Sequence, residues 1–312
     1  MTAGGGKPCP GTRVPGTAAA PARRAPDAMP AYRFCRPDDV PRLVRAVNRC
    51  YDVHFPGAPP LTVAGLRAEM KELDVWPSSS MVALAGDEPI AVLIGTRRER
   101  EVLVVRLGVR PDHLRRGHGA HLVTSLGQKL AVLGPPRIVA EVPLDLPAAA
   151  AFFAALGYRR EADFTDWTRL PGGAEPVPAE LTVPVTVDDV ADAGLLEPAA
   201  GVAWERARES LVGSKDAFDG LAIATPERLE AYVLARPRED AVDVVAASCR
   251  DPAQAEVYLG LLLRAVVGGA GAVTVRLPRL ADGELPPAVL ERLGFAPGRR
   301  YARFAVVARR TP

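Results

Sequence analysis

The 312-residue sequence lacks any run of about 18 apolar residues free of charge or proline, which argues against a membrane-spanning helix. It also lacks an excess of either charge. With 39 basic and 37 acidic residues, its formal net charge of +2 is far from that of a strongly basic nucleic-acid binder, and no nucleic-acid or membrane partner is expected. Its four cysteines, Cys9, Cys35, Cys50 and Cys249, form no CxxC pair. They read as scattered reduced thiols of a cytoplasmic protein, not as a disulfide frame or zinc site. Residues 1–30 have no continuous apolar stretch of the signal-peptide kind and are rich in Gly, Pro, Ala and Arg, the composition of a disordered tail. What the chain does have is 48% hydrophobic residues over a length that suits two domains at roughly 100–200 residues each.

From Tyr32 the patterning becomes regular. A short strand leads to Asp38-Asp39, which caps a helix with Val40, Leu43, Val44 and Val47 on one face. A second helix is expected over 62–73 with Thr62 as its cap, and Gly86-Asp87-Glu88 joins two apolar runs as a hairpin. A strand over 101–109 runs into a loop and then a helix to about Leu133. A strand over 137–142, a helix over 147–156 stopped by Gly157, and strand material over 158–170 follow. Residues 171–179 have linker composition. The order then recurs: Asp188-Asp189-Val190 answers Asp38-Asp39-Val40, and Leu293-Gly294-Phe295 answers Leu156-Gly157-Tyr158. Two diverged copies of one α/β unit account for this, over 31–170 and 180–312, with a turn expected in the second at Asp219-Gly220.

The most informative stretch runs from Val109 to Val123, where Arg115, Arg116, Gly117 and Gly119 lie between a strand and a helix. Glycines let backbone N–H groups approach an anion, the helix N-terminus adds positive potential, and the arginines suit phosphates. A loop of this kind would hold a pyrophosphate. No Gly-Lys-Ser/Thr follows, so it is not a Walker loop, and the third glycine of a dinucleotide-binding loop is missing. His113, His118 and His121 fall within this loop and the first helical turn with no carboxylate at ligand spacing, so no metal is expected.

With Val109, Pro111, Gly117 and Gly119 in place, and Leu114 departing at one position, the stretch resembles the acyl-CoA motif of the GNAT superfamily of N-acetyltransferases. The resemblance covers 31 to about 170. It implies an α/β fold of two tandem GNAT-like domains, each a twisted mixed sheet flanked by helices, the second degenerate. It implies acetyl-CoA as acyl donor, its pantetheine arm along Leu107, Gly108 and Val109 and its pyrophosphate on Arg115, Arg116, Gly117, His118, Gly119 and Ala120. The implied activity is that of an N-acetyltransferase moving the acetyl group directly to a primary amine. Glu141, in the context Ala140-Glu141-Val142, matches the position of a catalytic base. The position where family members often carry an acidic Tyr is Phe153 here, and a frequent Asn is Leu146, so either the thiolate leaves unassisted or another donor such as Tyr158 or Tyr51 serves. Tyr51, His54 and Glu72 are the candidate acceptor-binding residues. Because Phe153, Leu146 and Leu103 depart from the family pattern, a non-catalytic acyl-CoA-binding module is the alternative. The second copy has no glycine loop: Cys249 to Glu256 carries Asp251 and Glu256, which repel phosphate.

Overall fold

The structure, a computed structural model, describes residues 29–308 apart from 56, 58, 74, 173–180 and 197–200. The segment 1–28 and most of the proline-rich stretch 171–179 lie outside the described residues. The first half runs β1 (Ala31–Phe34), α1 (Val40–Cys50), α2 (Val63–Glu72), β2 (Met81–Ala85), β3 (Glu88–Arg97), β4 (Glu101–Val109), α3 (His118–Leu133), β5 (Arg137–Pro143), α4 (Pro147–Ala155) and β6 (Arg159–Arg169). The second runs β7 (Val183–Val185), α5 (Val187–Asp192), α6 (Arg208–Gly213), β8 (Asp219–Ala224), β9 (Leu229–Pro237), β10 (Ala241–Cys249), α7 (Ala255–Ala270), β11 (Thr274–Ala281), α8 (Pro287–Arg292) and β12 (Ala296–Val307).

Local chemistry explains most of these elements. Val40, Leu43, Val44 and Val47 of α1 are all buried, as their spacing predicts. Thr62 caps α2 by accepting the Gly65 N–H at 3.0 Å. Thr186 and Asp189 form a reciprocal capping box at the start of α5. The turn expected at Asp219-Gly220 is not one. Both residues lie inside β8, paired with Ala235 and Leu234 of β9, and the chain reverses instead at Thr225–Arg228. Asp-Gly is a hairpin signal only where the flanking runs pair with each other, and here the upstream run is helical.

All the strands form one sheet in the order β1-β2-β3-β4-β5-β12-β6-β11-β10-β9-β8-β7. The two halves exchange their last strands. β12 lies antiparallel to β5, from Tyr301 opposite Pro143 to Val307 opposite Arg137. In return β6 lies antiparallel to β11. The apolar residues alternate across the sheet with period two. Ala83, Ala91, Leu93, Val102, Ala140 and Val142 pack under α3 and α4, while Val82, Val92 and Ile94 pack under α1 and α2.

One close approach places the start of the site. A Cβ on Gly108 would stand 2.3 Å from the Cys50 carbonyl oxygen and 2.7 Å from Tyr51 Cα. The absence of a side chain there lets the end of α1 lie directly on β4. Gly108→Ala is therefore expected to destabilise the protein by about 1–3 kcal/mol through forced backbone movement. A fall in melting temperature checks this, and an unchanged one refutes it.

Candidate functional site

β4 and β5 are parallel neighbours for only three residue pairs, ending at Leu103 opposite Val139. At that point β4 carries an extra residue, Val105, relative to β3, where pairing jumps from Gly95–Val104 to Ile94–Arg106. Such a bulge bends its strand, and β4 and β5 splay apart. The opening is a cavity of about 380 Å³ lined by Val104, Val105 and Leu107 on one side and Ala140–Pro143 on the other, with Leu146, Phe153, Tyr51, His54 and Arg299 around it. The facing strand edges have lost each other as hydrogen-bonding partners, so an extended amide-containing ligand can pair with them.

The glycine loop lies at the C-terminal end of β4. Gly117, at φ +84°, is the left-handed N-cap of α3, and Arg115 is also left-handed at φ +61°. The first bond of the helical ladder runs from the His121 N–H to the Gly117 carbonyl, so the helix itself supplies no acceptor to the N–H groups of His118, Gly119 and Ala120. Arg115 and Gly117 are exposed at the turn, and among the described residues Arg115 has no ion pair. The His118 ring points inward. Its Nδ1 is 2.7 Å from the Tyr32 hydroxyl, and burial followed by the nearby His113, Arg116 and His121 lowers its pKa. Its ring is thus engaged inside the fold, and only its backbone N–H is left at the turn. His113 Nε2 accepts from Arg110 at 2.8 Å, bracing the loop from beneath.

Tyr51 and His54 reach the cavity, Tyr51 packing on Phe55 at 4.9 Å between ring centroids. Burial raises the Tyr51 phenol pKa, with Arg106 opposing. His54 Nε2 donates to the Val109 carbonyl at 2.8 Å, tying the loop after α1 to the end of β4. Glu141 also lines the cavity, with its side chain only 2% exposed. One oxygen accepts from Arg279 Nη1 at 2.9 Å, the other from the Trp204 backbone N–H at 2.7 Å.

Two expected site residues are elsewhere. Tyr158 packs among the apolar residues under α3 and α4, against Phe153, and its hydroxyl has no hydrogen-bond partner. Glu141 points to the other face of β5, since its neighbours Ala140 and Val142 belong to that same packed face. Tyr158 is therefore not brought to Glu141. Burial raises its pKa well above the usual phenol range, which suits a core residue better than a proton donor. Glu72 is paired with Arg236 and Arg238 of the second half and does not line the cavity. Of the arginines on β3, β4 and the turn between them, Arg106 pairs with Glu69, and Arg98 covers the Trp204 ring at 3.6 Å and bonds its carbonyl.

Arg279, Trp204 and Arg299 are the participants that sequence reasoning missed. All come from the second half, and no local motif marks them. Only the strand exchange brings them to β5.

The second half repeats the splay but fills it. β10 and β11 pair for three residues, and Val245 is an extra residue on β10 opposite β9, as Val105 is on β4. Into the gap goes Arg206, with a fully buried side chain. Its Nη1 donates to the carbonyls of Val244 at 2.8 Å and Pro278 at 3.3 Å, and its guanidinium pairs with Glu284. At the loop before α7, the Asp251 carboxylate accepts the Ala253 N–H at 2.9 Å, standing where an anion would bind.

The splayed strands with a left-handed glycine N-cap at their mouth agree with the sequence comparison: the family model "Acetyltransferase (GNAT) family" matches residues 42–158. Residues 42–158 thus match the GNAT acetyltransferase family. Solved structures extend the likeness to both halves. A GCN5-related N-acetyltransferase from Sphaerobacter thermophilus has a TM-score of 0.65 at 17% identity, covering 90% of this chain and 96% of its own. A tandem GNAT protein from the clavulanic acid biosynthesis pathway has a TM-score of 0.61 at 18% identity, covering 91% and 100%. A putative acetyltransferase from Pyrococcus horikoshii has a TM-score of 0.60 at 13% identity, covering 94% of each chain. At these identities the likeness is one of fold. No curated protein matches the sequence. The chain thus has the tandem GNAT architecture, an α/β fold whose family members are acyltransferases and typically bind acyl-CoA. Among the described residues, no group of three or more His, Cys, Asp or Glu is arranged to hold a metal ion. No helix among them is long and apolar enough to cross a membrane.

Proposed function

We propose that this GNAT protein is an N-acetyltransferase that moves an acetyl group from acetyl-CoA directly to a primary amine. In this reading residues 31–170 form the catalytic domain and residues 180–312 a degenerate partner. The observation that carries it is the open splay of β4 and β5 ending at the Gly117 N-cap, against a second-half splay occupied by Arg206.

The pantetheine arm runs along Val105 and Leu107, and the pyrophosphate takes the N–H groups of Gly117 to Ala120 with the arginines beside them. A backbone N–H of β4 faces the thioester oxygen and stabilises the charge that develops there. Glu141, at the far side of the cavity, draws the proton from the amine through a water molecule. Its orientation is set by Arg279 and the Trp204 N–H, so the second half supports the catalytic carboxylate without binding the donor. The buried free thiols of Cys35 and Cys50 support a cytosolic setting for the reaction.

A second reading rests on a specific feature: Phe153 and Leu146 line the cavity and neither can donate a proton to a departing thiolate. In that reading the protein binds acyl-CoA without turning it over.

Calorimetric titration of acetyl-CoA tests the donor site. Gly117→Ala and Gly117→Glu both place a side chain at a left-handed backbone, but only the second adds a negative charge at the helix N-terminus. Gly117→Glu is expected to weaken binding by about tenfold or more relative to Gly117→Ala. Equal affinities would refute the anion site, and no binding to the wild type would refute both readings. Release of thiol with a panel of primary amines then separates the enzyme from the binding module.

A further inference from the structure

Where β6 runs between β12 and β11, both neighbours depart from regular pairing at the same β6 residue. On one side Leu277 of β11 faces Trp167 and Leu280 faces Thr165, so Pro278 and Arg279 together stand against Asp166. On the other side Pro297 of β12 faces Trp167 and Arg300 faces Thr165, so Gly298 and Arg299 together stand against the same Asp166. Each neighbour thus carries one extra residue, the count of a β-bulge, and a bulge re-aims the side chains on it. Both bulges send an arginine toward the cleft. Arg279 donates to Glu141 at 2.9 Å, and Arg299 lines the cavity itself.

The Asp166 carboxylate is bonded to both neighbouring strands. Its Oδ1 accepts the Arg279 backbone N–H at 2.8 Å, and its Oδ2 accepts the Tyr301 hydroxyl at 2.9 Å. The first bond gives an acceptor to an N–H that the bulge displaces from the regular ladder. It also holds Arg279 at φ +45°, a left-handed conformation rarely adopted by a residue with a long side chain. The second bond fixes the ring that both guanidinium groups approach, Arg279 at 5.1 Å and Arg299 at 5.8 Å from its centroid. Burial, followed by the Asp166 charge and the hydrogen bond to it, pushes the Tyr301 phenol up to about 12, so the hydroxyl keeps its proton to donate. Glu141 is held by Arg279 Nη1 and the Trp204 N–H. One of these two donors is therefore aimed by a carboxylate that does not itself line the cavity.

Resting on the acyl-transfer reading of the cleft, we propose that Asp166 is a positioning residue for the reaction: it holds Arg279 in the left-handed turn from which the guanidinium orients Glu141. A strand of the first half, β6, thereby controls what β11 of the second half presents to the base on β5. Asp166 touches neither donor nor acceptor and acts only through Arg279 and the Tyr301 ring beside it.

The test uses the full chain and thiol release from acetyl-CoA, with ethylamine, ethanolamine and 1,4-diaminobutane as acceptor probes. In Asp166→Ala, kcat is expected to fall about tenfold to a hundredfold, the loss that a misplaced catalytic group causes. KM for acetyl-CoA and its calorimetric affinity should stay at the wild-type values. Asp166→Asn keeps an oxygen for the Arg279 N–H, so its kcat should fall by no more than about threefold. In Arg279→Gly the guanidinium is gone and the left-handed turn is free of strain, so adding Asp166→Ala there should change kcat less than about twofold. A merely structural Asp166 would instead cost the same factor in both backgrounds. Wild-type kcat in Asp166→Ala, an Asp166→Asn as slow as Asp166→Ala, equal losses with and without Arg279, or a matching loss of acetyl-CoA affinity would each overturn the role of Asp166. Should Asp166→Ala fail to fold, Tyr301→Phe removes the other bond of the same carboxylate, with a fall in kcat of about threefold expected and an unchanged kcat overturning the role. No acetyl-CoA binding, or no turnover of any probe, in the wild type overturns the acyl-transfer reading itself and this role with it. Normal wild-type turnover with an unaffected Asp166→Ala overturns only the role of Asp166.

Discussion

Replacing Glu141 by Gln is expected to lower turnover of acetyl-CoA with a primary amine by about 10²- to 10³-fold while leaving acetyl-CoA affinity unchanged. Gln retains an oxygen that can accept from Arg279 and has nearly the same shape. The amide cannot take up a proton at neutral pH, and Arg279 keeps a nearby carboxylate in Glu205. The affinity should hold because the pyrophosphate loop and the apolar strand edges of the cavity, not Glu141, contact the donor in this reading. Steady-state thiol release and calorimetry on the same preparations check both halves of the prediction. A parallel loss of affinity would show that Glu141 acts on the fold of the cleft. Unchanged turnover would move the base elsewhere, with Asp145 the other carboxylate lining the cavity.

The second large effect concerns the strand exchange. A chain ending at Phe295 lacks β12, and it is expected to lose cooperative unfolding and acetyl-CoA binding together. β12 fills the space between β5 and β6 along its length. Its Ala302 and Phe304 are core residues of the first half, Phe304 stacking on Phe153 at 6.4 Å. Loss of a buried Phe alone costs about 3–5 kcal/mol, a large part of a typical total of roughly 5–15 kcal/mol. β6 cannot close the gap without giving up its pairs with β11. The truncation would thus open two strand edges at the centre of the sheet, which invites association between chains. Thermal unfolding, size-exclusion chromatography with light scattering, and acetyl-CoA titration measure the outcome. A monomer with a single sharp transition and intact binding would sink the argument that the halves are interdependent.

Much of this protein was legible in its residues because the signals were local. The α1 stripe, the Thr62 cap, the Gly86-Asp87 hairpin and the strand over 101–109 each depend on neighbours within a few positions, and each is formed as read. The same holds for the glycine loop, where positive φ at Gly117 and the start of a helix are properties of one short segment. The paired Asp-Asp-Val and Leu-Gly-aromatic signatures likewise marked the internal repeat. The Asp219-Gly220 turn was misread because its pairing partner across the sheet, not the dipeptide, decides the conformation.

The sequence by itself determined the α/β character, the duplication and the left-handed glycine loop before α3, since these follow from periodicity and backbone freedom along the chain. Tertiary structure alone decided which carboxylates face the cleft. Alternation on β5 sends Glu141 to one face while Tyr158 packs on the other, and Glu72 is drawn into ion pairs with Arg236 and Arg238. Trp204 and Arg279 stand 63 and 138 residues from Glu141 in sequence, and they meet it only because β12 and β6 trade places. The physical reason is that hydrogen-bond pairing between strands is long-range and its register carries side chains with it. A local pattern can name a strand, but it cannot say which strand lies beside it.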